Sequence, residues 1–359
     1  MAQKKRLIMT GGGTAGHVVP NLSLIPELKA RGWNMAYIGE REGMEKGLVE
    51  GLMPYYGIRT GKLRRYFDWK NLSDPFKVFA GIGDAKRILR EYKPQVIFAK
   101  GGFVSVPVVL AARLLKIPVV MHESDYTPGL ANRLMKGSAR YICTTFPETL
   151  KMLGEKAVHT GTPIRQELFQ GMKARGMSLC GFRDEGLPVL LVTGGSQGAQ
   201  SINEALWGAL STLTRKFQII HLCGRGKAND ACNSYKNYKQ IEYADKEMKD
   251  LLAACDMILS RAGANSIYEF LALGKPMLLI PLPKGSSRGD QILNANSFVA
   301  QGFAHVLPQE ELTPQSLSGA LEALWEDHMR IQVNMRSVPH GDAISKIVDQ
   351  IEACLVRGN

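Results

Sequence analysis

Two short apolar strands, each running directly into a glycine loop, constrain this chain more than any other feature. The first is Leu7-Ile8-Met9-Thr10 followed by Gly11-Gly12-Gly13-Thr14-Ala15-Gly16-His17. The second is Val189-Leu190-Leu191-Val192-Thr193 followed by Gly194-Gly195-Ser196-Gln197-Gly198-Ala199. A glycine loop after a buried strand lets backbone N–H groups approach an anionic ligand at the start of a helix. One such loop near the start of each half predicts two α/β domains facing one cleft. Only the first loop ends in a histidine, which predicts phosphate binding on one side and proton chemistry on the other.

Apolar strands alternate with longer amphipathic segments throughout, the pattern of doubly wound parallel sheets. In the first half, strands are expected at 6–10, 35–38, 96–98, 119–122 and 141–143. In the second they are expected at 189–193, 218–222, 240–242, 257–259 and 277–280. Gly and Pro punctuate His159-Thr160-Gly161-Thr162-Pro163, which places the linker there. The expected domains are 1–163 and 164–340, with the terminal segment 341–359 returning to pack on the first. An internal echo supports two copies of one layout: Phe98-Ala99-Lys100-Gly101-Gly102 with Ser105 and Pro118 parallels Leu259-Ser260-Arg261-Ala262-Gly263 with Ser266 and Pro276.

Composition narrows the function classes. The six cysteines (Cys143, Cys180, Cys223, Cys232, Cys255, Cys354) form no C-x-x-C pair and read as buried, reduced thiols. The apolar stretch Val104–Met121 is interrupted by Pro107, Arg113, Lys116 and Pro118, too often for a membrane span. No secretory leader is expected behind the basic start. The formal charge is +12 over 359 residues, and it is lopsided: residues 1–163 carry 25 Lys+Arg against 13 Asp+Glu, the rest 20 against 20. Such an excess marks an anionic partner: nucleic acid, an acidic membrane surface or a phosphorylated substrate.

The motifs carry more chemistry than the charge does. Gly11-x-Gly13-x-x-Gly16 matches the dinucleotide fingerprint, with Glu40 at the distance of a ribose-binding acid, so an NAD(P)-dependent oxidoreductase is one reading. Against it stands His17, directly after the last glycine, where a helix N-terminus favours the neutral imidazole that a general base requires. Gly194–Ala199 offers N–H groups, a hydroxyl and a carboxamide together, a set suited to pyrophosphate. Arg261-Ala262-Gly263-Ala264-Asn265-Ser266-Ile267-Tyr268-Glu269 should open a helix whose first N–H groups meet phosphate while Glu269 accepts from ribose hydroxyls. Arg288-Gly289-Asp290-Gln291, with Asn294, groups side chains that read hydroxyls. His122-Glu123-Ser124-Asp125 ends a strand with acid/base candidates. Leu63–Lys70 and Pro75–Phe79 interleave rings with cations, fitting either base stacking or an acidic lipid surface. Nucleic acid is the weaker reading, because it leaves the glycine loops unexplained. Motifs that ligate metals are missing from the sequence.

In this order, the motifs resemble the MurG-type transferases, which move N-acetylglucosamine from its UDP donor to the undecaprenyl-pyrophosphoryl-muramoyl-pentapeptide called lipid I. The resemblance covers nearly the whole chain: the first glycine loop with Thr14 and His17, His122-Glu123, Gly194–Ala199, Arg261-x-Gly263-Ala264 with Glu269, and Asp290-Gln291 with Asn294. It implies the two-domain GT-B fold and an inverting transfer with neither metal nor cofactor. It also implies peripheral attachment to the cytoplasmic face of the bacterial membrane, near the proteins of cell-wall synthesis and division.

By that resemblance the second domain holds UDP-N-acetylglucosamine. Ser196, Gln197 and Arg165 would stand at the pyrophosphate and Ala244 at uracil. Arg261, Ala264, Asn265 and Ser266 would line the phosphate turn. Glu269 would take the ribose, and Asp290, Gln291 and Asn294 the sugar side. The first domain would take lipid I, its pyrophosphate on Gly13, Thr14, Ala15 and Gly16, with His17 or Glu123 as the base. Ala15, Phe103, Ser124-Asp125 and Asp290 depart from the usual family residues (glycine, tyrosine, Gln-Asn and glutamine). Asp125 would stand among the acceptor contacts, where its carboxylate would repel a pyrophosphate. A glycolipid transferase with another acceptor and a UDP-sugar epimerase are the neighbouring readings.

Overall fold

The computed structural model describes residues 5–61, 74–195, 197–285, 288–338 and 341–356. The chain divides into two compact units, Met1–Ile164 with Gly341–Asn359, and Arg165–His340.

The first unit is built on parallel strands β1 (Lys5–Thr10), β2 (Trp33–Glu40), β3 (Tyr55–Ile58), β4 (Val96–Ala99), β5 (Val119–Glu123), β6 (Tyr141–Thr144) and β7 (Ala157–His159), in the order β3-β2-β1-β4-β5-β6-β7. Period-two alternation distributes β1 between two cores. Ile8 joins Ile97, Val119 and Met121 beneath the helices Asp74–Tyr92 and Ser105–Leu114. Leu7 and Met9 join Val96, Phe98 and Val120 on the other face, which Ile347, Val348 and Ile351 of the helix Ala343–Val356 cover. Ion pairs fasten that helix: Lys5 Nζ to Glu352 at 2.7 Å, and Arg31 to Asp349 at 2.5 Å and Glu352 at 3.1 Å.

The second unit repeats the plan with β8 (Val189–Thr193), β9 (Gln218–Leu222), β10 (Tyr238–Ile241), β11 (Met257–Ser260), β12 (Met277–Leu279) and β13 (Ala304–Val306), all parallel, in the order β10-β9-β8-β11-β12-β13. Helix Pro314–Arg336 runs beside helix Gln200–Leu213. It is started by a capping box in which Thr313 Oγ1 accepts from Ser316 N–H at 3.1 Å and Ser316 Oγ from Thr313 N–H at 2.9 Å.

Three strands lie outside the sequence expectation: β3, β7 and β13. Each is three or four residues long, sits at a sheet edge and is partly exposed. An edge strand with one wet side needs no continuous apolar run, so it lacks the signal that marks its buried neighbours. The helix expected after the first glycine loop is also divided. A 3-10 turn, Ala15–His17, precedes the short helices Val19–Ser23 and Ile25–Ala30, with Pro20 and Pro26 each at the start of one.

Candidate active site

In the first unit β1 lies between β2 and β4, so the loops leaving β1 and β4 part at the sheet's switch point, where doubly wound folds bind ligands. These loops nearly touch there. A Cβ on Gly102, whose φ is +78°, would lie 2.4 Å from the Gly12 carbonyl oxygen and 3.3 Å from His17 Nδ1. The glycine loop is braced from below: Tyr37 Oη donates to the Gly11 carbonyl at 2.8 Å, and Asn21 Nδ2 donates to Tyr37 Oη at 3.0 Å and to the Thr10 carbonyl at 3.3 Å. Burial pushes the Tyr37 phenol well above its ordinary pKa, so the hydroxyl stays a donor. Glu45, fully buried, accepts from the Glu40 N–H at 2.8 Å, and a Cβ on Gly12 would sit 2.6 Å from its carboxylate. Tyr37, Asn21 and Glu45 carry no motif and went unnoticed in the sequence.

His17 lies in the 3-10 turn, half-buried, with Nδ1 3.0 Å from Thr14 Oγ1. The orientation of its ring is thus set by a neighbouring hydroxyl more than by the dipole of a long helix. Glu123, at the end of β5, is 4% exposed and accepts three N–H bonds: Asp125 N at 3.0 Å, Gly129 N at 2.9 Å and Asn132 Nδ2 at 2.8 Å. Asp125 is half-buried beside it. Gly13, Thr14, Ala15 and Gly16 form the outer turn of the glycine loop, with Gly13 and Thr14 exposed.

Gly102→Ala is expected to cost about 1–3 kcal/mol for positive φ, with a further overpacking cost because the new Cβ meets backbone oxygen. Urea melts of the variant measure the loss, and a variant as stable as wild type would show that the loops need not touch.

The second unit repeats the arrangement, since β8 lies between β9 and β11. The Gly194–Ala199 turn is pressed against the end of β9: a Cβ on Gly198, at φ +68°, would sit 2.1 Å from the Cys223 carbonyl oxygen. The Gln197 carbonyl accepts from Lys227 Nζ at 2.8 Å. Ser196 lies outside the described residues. Arg261 donates to the Ile280 carbonyl at 3.0 Å and to Ser201 Oγ at 2.9 Å, tying β11 to the end of β12 and to helix Gln200–Leu213. Gly263 caps the helix Ala264–Ala272 and, as a glycine, places no side chain of its own over the first turn, which holds Ala264, Asn265 and Ser266. Glu269, one turn further on, holds Arg165 in a two-pronged pair, Nε–Oε1 2.9 Å and Nη2–Oε2 3.1 Å.

The remaining second-unit candidates differ in what they can do. Gln291 Oε1 accepts from the Leu282 N–H at 3.1 Å, and Asp290 pairs with Arg288 at 3.6 Å. Asn294 is fully buried and donates to the Ala262 carbonyl at 3.1 Å, and Ala244 is buried after β10. Asn294 therefore shapes the Arg261–Gly263 turn from behind. Glu40, the acid that a dinucleotide site would need, accepts instead from Thr60 Oγ1 at 2.8 Å. Among the described residues no three His, Cys, Asp or Glu side chains group as a metal site.

The likeness to known proteins agrees with this geometry. Residues 7–144 match the glycosyltransferase family 28 N-terminal domain and residues 189–351 its C-terminal domain. A UDP-N-acetylglucosamine--N-acetylmuramyl-(pentapeptide) pyrophosphoryl-undecaprenol N-acetylglucosamine transferase of Lachnoclostridium phytofermentans is 53% identical over 97% of this chain and 98% of its own. The crystal structure of MurG from Acinetobacter baumannii is similar at a TM-score of 0.77 and 26% identity, covering 97% of this chain and 99% of that one. A UDP-GlcNAc 2-epimerase from Neisseria meningitidis shares the fold alone, at a TM-score of 0.70 and 16% identity over 97% of this chain and 100% of that one. With both halves matched and a relative more than half identical along nearly its whole length, the chain belongs to glycosyltransferase family 28, among the N-acetylglucosamine transferases that act on muramyl-pentapeptide pyrophosphoryl-undecaprenol.

Proposed function

We propose that this protein transfers N-acetylglucosamine from UDP-N-acetylglucosamine to the muramoyl 4-hydroxyl of lipid I, giving lipid II for peptidoglycan. The observation that carries the reading is the 53% identity over 97% of the chain to a transferase of that name.

The second unit binds the donor. The N–H groups of the Gly194–Ala199 turn and of the Ala264–Ser266 helix start meet the pyrophosphate, with Ser196, Gln197 and Arg261 beside them. Ala244 borders uracil. The ribose hydroxyls bond to Glu269, whose carboxylate Arg165 orients. Gln291 and Asp290 serve the sugar, and Asn294 keeps the turn in shape. The first unit binds lipid I, its pyrophosphate on the Gly13–Gly16 turn. His17 is the base: with the Nδ1 proton directed at Thr14, the Nε2 lone pair takes the 4-hydroxyl proton as that oxygen attacks the anomeric carbon on the face opposite UDP, and the bond from that carbon to the diphosphate breaks, UDP leaving with its electron pair and the centre inverting. Glu123, already accepting three N–H bonds, positions the Ser124–Gly129 loop and Asp125 within it. The transfer runs without a metal.

We place the protein peripherally on the cytoplasmic membrane face, where its acceptor is anchored. Phe76 and Phe79, 77% and 72% exposed on the helix Asp74–Tyr92, would enter the interface while the cationic excess of residues 1–163 meets anionic lipid. Leu63–Lys70 lies outside the described residues. Proteins of cell-wall synthesis and division are the expected neighbours there.

Purified protein incubated with radiolabelled UDP-N-acetylglucosamine and lipid I in the presence of EDTA should yield labelled lipid II. UDP binding without transfer would retain the donor half of this reading and redirect the search to another glycolipid acceptor.

A further inference from the structure

Lys100 stands at the end of β4, on the switch point, yet no step above uses it. Its stem packs against the glycine loop, for a Cβ on Gly11 would lie 3.2 Å from Lys100 Cβ. The side chain is 1% exposed. Its ammonium donates to His122 Nδ1 at 2.7 Å and to Ser124 Oγ. His122 in turn donates from Nε2 to the Gly161 carbonyl at 2.9 Å, which fixes the ring in one neutral tautomer. Burying a cation is costly unless it is compensated. Here the compensation comes from the fields of Glu123 and Asp125, which act on Lys100 to keep it charged. The relation is mutual: without the ammonium, this corner would present two carboxylates beside a loop that must receive a diphosphate.

We propose that Lys100 is a positioning residue for the acceptor, fixing His122 and Ser124 and neutralising the Glu123–Asp125 corner so that an anionic diphosphate can approach the first glycine loop. The inference rests on the lipid I reading for its ligand and on the structure for its charges. Burial lowers the Lys100 pKa to about 8, so the neutralising charge is present below that pH and lost above it. The other groups facing the ammonium are His122, Cys143 and the carboxyl groups of Glu123 and Asp125. Burial keeps His122 neutral and pushes the Cys143 thiol on β6 up to about 12. The glycine loop adds His17.

The test compares wild type, Lys100→Met, Asp125→Asn and the double variant, all full-length and checked by thermal melts. Lys100→Met should raise the KM for lipid I about 10- to 100-fold, the range for one unit charge acting across a partly desolvated gap, with the KM for UDP-N-acetylglucosamine within about twofold. Asp125→Asn in the Lys100→Met background should recover most of the loss, which a purely structural role would not allow. Acceptor kcat/KM of wild type should fall above pH 8, and that fall should vanish in Lys100→Met. An unchanged acceptor KM in folded Lys100→Met, or a double variant no better than the single, would overturn the proposal. Farnesyl diphosphate binding, measured calorimetrically on the same four proteins, separates the two readings. Weakened binding in Lys100→Met supports the inference even if lipid I proves not to be the substrate. Unchanged binding alongside robust lipid I transfer by wild type sinks the inference and leaves the function standing.

Discussion

His17→Ala should lower kcat for transfer to lipid I by about 10²–10⁴-fold, the usual contribution of a positioned general base, while the affinity for UDP changes by less than about twofold, since the loops we propose for the donor belong to the other compact unit. The Thr14 contact sharpens the expectation. Thr14 Oγ1 lies 3.0 Å from His17 Nδ1, where the hydroxyl can accept the Nδ1 proton and so leave Nε2 basic, the arrangement our proposal requires. Thr14→Val removes that partner without removing the imidazole, so it should cost kcat several-fold and leave the donor KM unchanged. Glu123→Gln supplies the contrast. Its carboxylate satisfies three N–H donors, and an amide would turn an N–H toward at least one of them. It should therefore lower the melting temperature as well as activity. Steady-state kinetics and melts of the three variants separate the roles. If His17→Ala keeps more than a tenth of wild-type kcat while Glu123→Gln is folded and inactive, the base is Glu123.

The parts of this molecule that were legible in the sequence are those where one residue's type dictates its neighbourhood. Central strands such as β4, β8 and β12 are buried and so read as nearly unbroken apolar runs. The glycine loops were visible because backbone meets backbone there, as at Gly102 and Gly198, and no side chain fits. The edge strands β3, β7 and β13 left little trace, since they are short and only partly buried. Within the candidate site, Asn294 looked like a sugar-reading amide. Its burial behind the Ala262 carbonyl depends on the fold of a distant turn, which no local pattern encodes. Glu45 and Tyr37 were hidden for the same reason, because they support the glycine loop from segments far along the chain. Lys100 did leave a signal: it occupies the slot of Arg261 in the internal echo, and both cations reach from a strand end to the neighbouring strand's terminus, Lys100 to His122 and Arg261 to the Ile280 carbonyl.

Acid should unfold this protein through two histidines, one in each compact unit, before its carboxylates titrate. His122 is fully buried, and burial together with Lys100 holds its pKa well below the usual imidazole range. His221 on β9 is fully buried as well, accepting from Tyr238 Oη at 2.8 Å on Nδ1 and donating to Asn203 Oδ1 at 3.0 Å from Nε2, and burial lowers its pKa to about 3. In the unfolded chain each imidazole takes a proton near pH 6.5. Below that pH the unfolded state binds one more proton per unit than the folded state does. Stability therefore falls as pH falls, by up to about 1.4 kcal/mol per pH unit in each. Carried down to the folded pKa of His221, the loss in the second unit approaches about 5 kcal/mol, a large share of a typical domain's stability. Asp84 and Glu352, whose pKa values are lowered by their Arg and Lys partners, add their own losses only below their unfolded values near about 4. The depressed Lys100 titrates far above this range. Urea midpoints measured between pH 6.5 and 4.5 thus isolate the histidines. His221→Gln, which keeps a donor and an acceptor, should flatten the slope of the second unit and leave that of the first intact. A wild-type midpoint constant across this range would mean that protons reach both rings in the folded state, and that neither buried network holds its histidine neutral.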